Sequence, residues 1–232
     1  MIGVKSHITE LEEKGFSITK SLFSNKELQE ICDVIDQSDS SFAIRQLLIK
    51  IPELQELICN NSNFKSLYTS ICDKSYFLSK AIFFNKPKMS NWFVNYHQDL
   101  SISVKEKKEA KGFTNWTTKN GQLGVIPPEQ ILKSTITFRI HLDKTDETNG
   151  ALHVIPKSHT KGIIRVDETF NKNKLEKEVL CTVDRGGVML MKPLLLHASQ
   201  RSVSAFNRRV IHLEFCNKEI PLQWLERKEI VS

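Results

Sequence analysis

Asn91-Trp92-Phe93-Val94-Asn95-Tyr96-His97-Gln98-Asp99 is the stretch on which the fold turns. Its aromatic and β-branched residues predict a strand, a rigid platform for the polar residues at its end. Side chains two apart in a strand point the same way, so His97 and Asp99 project together while Gln98 points away. A third donor comes from farther along. The apolar run Val188-Met189-Leu190-Met191-Lys192-Pro193-Leu194-Leu195-Leu196 reads as a buried strand delivering His197 at its end. Two imidazoles and a carboxylate can occupy one face of an Fe(II) octahedron, leaving the other face open to a chelating cosubstrate and dioxygen.

Arg208 follows His197 by eleven residues and begins a strand-like segment, Arg208-Arg209-Val210-Ile211-His212-Leu213-Glu214-Phe215. A guanidinium there can clamp a dicarboxylate in a bidentate fork, which lysine matches less well. Arg209 is a rival for that role. A second His-x-Asp pair, His141 and Asp143, competes for the metal, although Asp143 opens the acidic turn 143–150, where carboxylates ordinarily shape the turn. His153, His159 and His212 lack a partner at a diagnostic spacing. From Thr135 to Asp143 the alternation puts Thr137, Arg139, His141 and Asp143 on one face and Phe138, Ile140 and Leu142 on the other.

Further segments accompany these residues: Phe84-Asn85-Lys86-Pro87, Asp143 with Asn149-Gly150-Ala151-Leu152, Ile155-Pro156-Lys157-Ser158-His159 and Gly186-Gly187. In order and spacing the set resembles the phytanoyl-CoA dioxygenase family of Fe(II)/2-oxoglutarate oxygenases, over about residues 80 to 215. The resemblance implies His97, Asp99 and His197 as iron ligands and Arg208 as the partner of the far carboxylate of 2-oxoglutarate. It places Ser199 on the same carboxylate and Ile82 on the wall of the cosubstrate pocket. Thr137 and Arg139 then become neighbours of the cosubstrate. Fe(II), 2-oxoglutarate and dioxygen are the implied cofactors, with succinate as coproduct and hydroxylation, desaturation or ring formation as the oxidation. Halogenating enzymes of this kind replace the carboxylate ligand by a small residue, and this chain keeps Asp99. Two departures stand out. Lys157 occupies a turn position where the family often has glycine, and an extra segment between Ser103 and Lys133 falls where substrate-covering loops occur.

The implied architecture is a mainly β, cupin-like jelly-roll, the double-stranded β-helix, with helices packed outside. Turn signals at Lys86-Pro87, Gly121, Pro127-Pro128, Asn149-Gly150, Pro156 and Gly186-Gly187 fit short strands. The first part of the chain reads as helical. Ser24 or Asn25 caps a helix through Glu27, Leu28, Ile31, Val34 and Ile35; a second is expected over Phe42 to Ile49, and a third over Glu53 to Ile58. The expected organisation is one oxygenase domain over 1–232, with a helical packing region at about 1–75 and a jelly-roll core at about 80–216.

The 232 residues are 40% hydrophobic and 26% charged, ordinary for a globular chain. A net charge of +6 is spread through solvated stretches such as Lys105-Glu106-Lys107-Lys108-Glu109 and accompanies no nucleic-acid motif, so no nucleic-acid partner is expected. An acidic small molecule or a thioester remains compatible with it. No stretch is long and apolar enough to span a bilayer and the N-terminus lacks a signal-peptide core, so a cytoplasmic setting without a membrane partner is expected. Five widely spaced cysteines suggest buried free thiols. Trp92, Phe93, Phe113 and Trp116 read as core before they read as a substrate wall. The expected substrate is a small metabolite, an acyl-CoA or a secondary metabolite. The alternatives are a non-catalytic jelly-roll that holds a metal or ligand, and a nucleic-acid oxygenase; oligomeric state is not legible.

Overall fold

In the computed structural model, which describes residues 4–38, 42–89, 92–119 and 121–230, a capping box opens the helix Asn25–Ser38. Glu27 Oε2 accepts from the Ser24 amide at 2.7 Å, and the Glu27 amide donates to Ser24 Oγ at 3.3 Å. The helix buries Leu28, Ile31, Cys32 and Ile35. Each large apolar side chain so placed contributes about 1.5–3 kcal/mol.

In chain order the elements begin α1 (Val4–Glu13), β1 (Phe16–Ile18), α2 (Asn25–Ser38), β2 (Ala43–Arg45), α3 (Leu47–Lys50), α4 (Glu53–Cys59) and α5 (Ser62–Ile71). Then come β3 (Phe77–Lys86), β4 (Val94–His97), β5 (Ile102–Val104), β6 (Thr114–Lys119), β7 (Gln122–Ile126) and α6 (Glu129–Lys133). The last are β8 (Thr135–His141), β9 (Leu152–Val154), β10 (Val179–Cys181), β11 (Val188–Met191), β12 (His197–Ser199) and β13 (Arg208–Cys216).

Two antiparallel sheets form the jelly-roll: a six-stranded one ordered β1-β11-β8-β13-β3-β2 and a four-stranded one ordered β10-β9-β12-β4. Phe16, Met189 and Met191 of the first pack with Leu152, Val154 and Cys181 of the second, which closes the interior. The outer face of the large sheet, including Phe138, Ile140, Ile211, Leu213 and Phe215, buries against α1 to α5. The alternation expected along β8 holds: Phe138, Ile140 and Leu142 belong to that helical core. A third sheet, β5-β7-β6, occupies the extra segment expected to cover substrate, and packs on α6 and the 220–224 strap.

Four expectations change. The helix expected over Phe42 to Ile49 is instead the edge strand β2, followed at Gln46 (φ 56) by the short α3. The ten-residue β3 needs an outer partner, and the pairings Ala43↔Phe84 and Arg45↔Ile82 outweigh local helical period. With β1 also in the large sheet, the first 75 residues are not purely a helical packing region. The run from Val188 to Leu196 is not one strand. It leaves β11 at Met191, turns at Lys192-Pro193, where proline lacks the N–H a ladder needs, and re-enters at His197 in the opposite sheet. Trp92 and Phe93 are 37% and 46% exposed rather than core, because they lead into β4, an edge strand. The expected platform therefore starts at Val94, and Asn91 lies outside the described residues. Phe113 and Trp116 are half-buried against the core beneath the third sheet.

All five cysteines are buried and free. No helix among the described residues is long and apolar enough to cross a membrane.

Candidate metal centre

β4 and β12 are antiparallel neighbours, and His97 and His197 are paired across them. Asp99 lies two residues past His97, just beyond the strand, where its amide donates to Pro193 O at 2.9 Å. That bond ties it to the turn leading into His197. Gln98 does point away: its Nε2 donates to Leu194 O at 2.6 Å and Gly162 O at 2.9 Å, and its Oε1 accepts from the Ile164 amide at 2.8 Å. Ser158, in the Pro-Lys-Ser-His turn, accepts from the Leu196 amide at 2.8 Å. Lys157 takes the left-handed conformation there, φ 60, which is what a glycine would adopt without strain.

One ligand atom from each of His97, Asp99 and His197 lies within 4.8 Å of the other two, and this is the one such His/Cys/Asp/Glu group found among the described residues. The His97 and His197 Nε2 atoms stand 3.9 and 3.8 Å from the two Asp99 carboxylate oxygens. Each ring presents Nδ1 at 2.8 Å to a backbone carbonyl, of Asn95 and of Leu195. A carbonyl only accepts, so Nδ1 carries the proton and Nε2 keeps its lone pair for a metal. Burial pushes the His197 imidazole down to about 4, which leaves it neutral at physiological pH. Burial alone would raise the Asp99 carboxyl, but the surrounding His197, His212, His97 and Lys80 reverse that and hold it below its ordinary range.

Deeper in the same interior lie Thr137, Arg139 and His141 on β8 and Arg208 on β13. Arg208 is buried and donates from one guanidinium nitrogen to Gly150 O at 2.6 Å; Ser199 Oγ donates to the same carbonyl at 2.9 Å. Lys86 is buried beside them, its Nζ 3.1 Å from Ser199 Oγ. Burial and the neighbouring Arg139 lower Arg208 to about 9; burial and Arg208 lower Lys86 to about 8. Arg139 approaches His212 Nδ1 at 3.0 Å. Among the described residues, no carboxylate stands within 4.0 Å of Lys86, Arg139 or Arg208. Arg139 is offset by Asp99 at longer range, but Lys86 and Arg208 feel only burial and another cation. Buried cations without a counter-ion are costly, so this interior asks for an anion.

The two rivals separate from it. Arg209 binds Asp143 through Nε at 3.0 Å and a terminal nitrogen at 2.9 Å, on the outer side of β13. Asp143 is thereby committed, and His141 Nδ1 faces Thr145 Oγ1 at 2.7 Å. Ile82 lines a cavity of about 420 Å³ that reaches His97 and Asp99 and is walled by β2, β3, β13 and the third sheet.

The phytanoyl-CoA dioxygenase (PhyH) family profile matches residues 11–210. The chain belongs to that family. No curated protein sequence matches it. Among solved structures, the chain resembles SnoN, the non-heme α-ketoglutarate-dependent epimerase from nogalamycin biosynthesis, at a TM-score of 0.67 and 10% identity over 92% of this chain and 80% of that one. EvdO2 from Micromonospora carbonacea var. aurantiaca, complexed with 2-oxoglutarate, gives 0.64 and 14% over 93% and 92%. HygX from Streptomyces hygroscopicus, with iron bound, gives 0.65 and 13% over 91% and 86%. At these identities the likeness speaks for the fold.

The residues of this phytanoyl-CoA dioxygenase family member fit iron and a dicarboxylate. Asp99 Oδ2, Thr137 Oγ1, Arg139 Nε, His141 Nε2 and Arg208 Nε are all buried without a hydrogen-bond partner. One acceptor beside two free Nε2 lone pairs suits a cation, and the Thr137 hydroxyl and the two guanidinium N–H groups behind them suit an anion. Sequence reasoning misses Lys86. Asn-Lys-Pro reads there as a turn, and only β3–β13 pairing, Arg208↔Lys86, brings the lysine inside.

Proposed function

We propose that this protein is an Fe(II)/2-oxoglutarate-dependent dioxygenase that hydroxylates a small organic metabolite of secondary-metabolite type. His97, Asp99 and His197 hold the iron through Nε2, carboxylate and Nε2. Arg208 would hold the far carboxylate of 2-oxoglutarate through the guanidinium N–H groups left free by its bond to Gly150, with Ser199 and Lys86 beside it. Thr137 and Arg139 offer their unpartnered donors along the cosubstrate, and Ile82 walls the pocket. Bound iron and 2-oxoglutarate supply the oxidising power: dioxygen is consumed, 2-oxoglutarate becomes succinate and carbon dioxide, and a substrate C–H bond is oxidised. The chain's own part is to orient donors, neutralise the dianion and keep water from the buried side. The helical region and the jelly-roll act as one oxygenase unit, a reading supported by the core they share. Five free thiols support a cytoplasmic setting.

One observation carries this reading: a His/Asp/His group backed by buried cations with no carboxylate of their own. Mere metal storage would not require those cations. Anaerobic titration with Fe(II) and then 2-oxoglutarate tests it, a weak visible charge-transfer band being expected, followed by succinate on admission of air. Absence of both band and succinate would overturn the proposal.

A further inference from the structure

We propose that the substrate is a compact organic anion whose carboxylate or phosphate is held between Arg45 and Lys119, an inference that rests on the oxygenase reading above. The cavity over His97 and Asp99, about 420 Å³, falls in the range of about 300–1,000 Å³ typical of small-molecule sites. It has two walls. One is the inner face of the six-stranded sheet, reaching its edge at Arg45, which pairs with Ile82. The other is the β6–β7 hairpin, which contributes Lys119 from the end of β6.

The charged groups on these walls are not equivalent. Lys80 and Glu214 are both buried and pair at 2.8 Å, and Lys80 also donates to Ser101 O at 2.5 Å, so they satisfy each other. Asp99 belongs to the metal group. Arg45 and Lys119 remain, and among the described residues neither has a carboxylate within 4.0 Å. Glu226 lies within electrostatic reach of Arg45 but forms no ion pair with it. Two cations on opposite walls without a direct ion pair attract an anion and fix its orientation, the guanidinium by a bidentate fork and the ammonium as a point charge. The positive balance of the chain adds to the local potential.

The rest of the hairpin wall is polar. Asn115, Thr117 and Gln122 bring neutral hydrogen-bonding groups to the cavity. Gly124 lets the Ser101 and Thr117 hydroxyls pack close to the wall: a Cβ there would come within 2.6 Å of Ser101 Oγ and 2.9 Å of Thr117 Oγ1. A long acyl chain would strip water from these groups without replacing their hydrogen bonds. A small polar anion would replace them.

The test uses Fe(II)- and 2-oxoglutarate-loaded full-length protein under anaerobic conditions, with calorimetric titration of acetate, methyl phosphate and, as a neutral control, glycerol. Binding of at least one anion, no binding of glycerol, and about a tenfold loss of anion affinity in the double variant R45Q/K119Q are expected. The charge-preserving R45K/K119R should retain the binding, which separates lost charge from lost folding. The acetate and methyl phosphate arms distinguish a carboxylate from a phosphate substrate. Failure of both anions to bind protein that has taken up iron and 2-oxoglutarate would overturn the proposal and leave the oxygenase reading standing. Equal anion binding by R45Q/K119Q, or a parallel fall in its 2-oxoglutarate affinity, would overturn it too. Failure to load iron and 2-oxoglutarate at all would instead strike the oxygenase reading, and this inference with it.

Discussion

His97 and His197, a hundred residues apart in sequence, are partners across adjacent antiparallel strands, with ring centroids 4.2 Å apart and planes inclined by 52°. Cross-strand neighbours of this kind are held by backbone hydrogen bonds, so the two rings are held close together by the fold itself. Asp99 joins them through a backbone bond to Pro193, in the turn that leads to His197.

Removing either ring should therefore empty the metal site. His97→Ala and His197→Ala are each expected to weaken Fe(II) binding more than about 100-fold, beyond the effect usual for outer-shell partners. His141→Ala should keep the iron. Anaerobic iron titration reads all three, and an empty site in His141→Ala would contradict the ligand assignment.

Arg208 and Arg209 are adjacent yet face different surroundings. Arg208→Ala should retain iron and lose about 2–5 kcal/mol of 2-oxoglutarate binding, the usual cost of truncating one side of a buried charge pair. Arg209→Ala breaks a partly exposed pair with Asp143 and should change folding stability by about 1 kcal/mol or less, with 2-oxoglutarate binding intact. Equilibrium titration of the cosubstrate beside a urea melt separates the two.

Gly150 has φ +83, and its carbonyl accepts from both Ser199 and Arg208. A Cβ there would sit 2.7 Å from Lys86 Nζ and 2.8 Å from Gln200 O. Gly150→Ala is expected to cost about 1–3 kcal/mol of stability and to weaken 2-oxoglutarate binding, since the turn that orients Arg208 must shift. A wild-type melting curve and cosubstrate affinity in this variant would rule the argument out.

Glu226 folds back from the C-terminal strap to accept from the Ala81 amide at 3.0 Å, and burial raises its carboxyl to about 7. The folded chain therefore holds a proton that the unfolded chain releases near its ordinary value of 4.5. This contribution is fully present below that value and is lost as pH rises through about 7. Glu226→Gln should flatten the fall by about 1–3 kcal/mol between pH 5 and pH 8. Melting temperatures across that span decide it, and parallel curves for the two proteins would exclude the role.

Much of the jelly-roll is legible in local pattern. The turn signals at Lys86-Pro87, Gly121, Asn149-Gly150 and Gly186-Gly187 all fall at strand ends. Ser24 caps its helix, and the polar and apolar faces of β8 divide as the period of two requires. These features depend on residues a few positions apart, which is why the sequence carries them. β2 reads as helix because its pairing partner, β3, lies some forty residues away, and the Val188–Leu196 run reads as one strand because apolar character does not say which sheet a residue joins.

By itself the sequence determined the family resemblance, the jelly-roll class and the identity of the two histidines, the aspartate and the arginine worth testing, because a strand period and a spacing are local quantities. The tertiary structure alone decided that His141 is committed to Thr145 and Arg209 to Asp143, that Lys86 enters the interior beside Arg208, and that Arg45 faces the same cavity as Lys119. Those are long-range outcomes of strand register. A shift of one residue in pairing would turn every one of these side chains to the other face of its sheet.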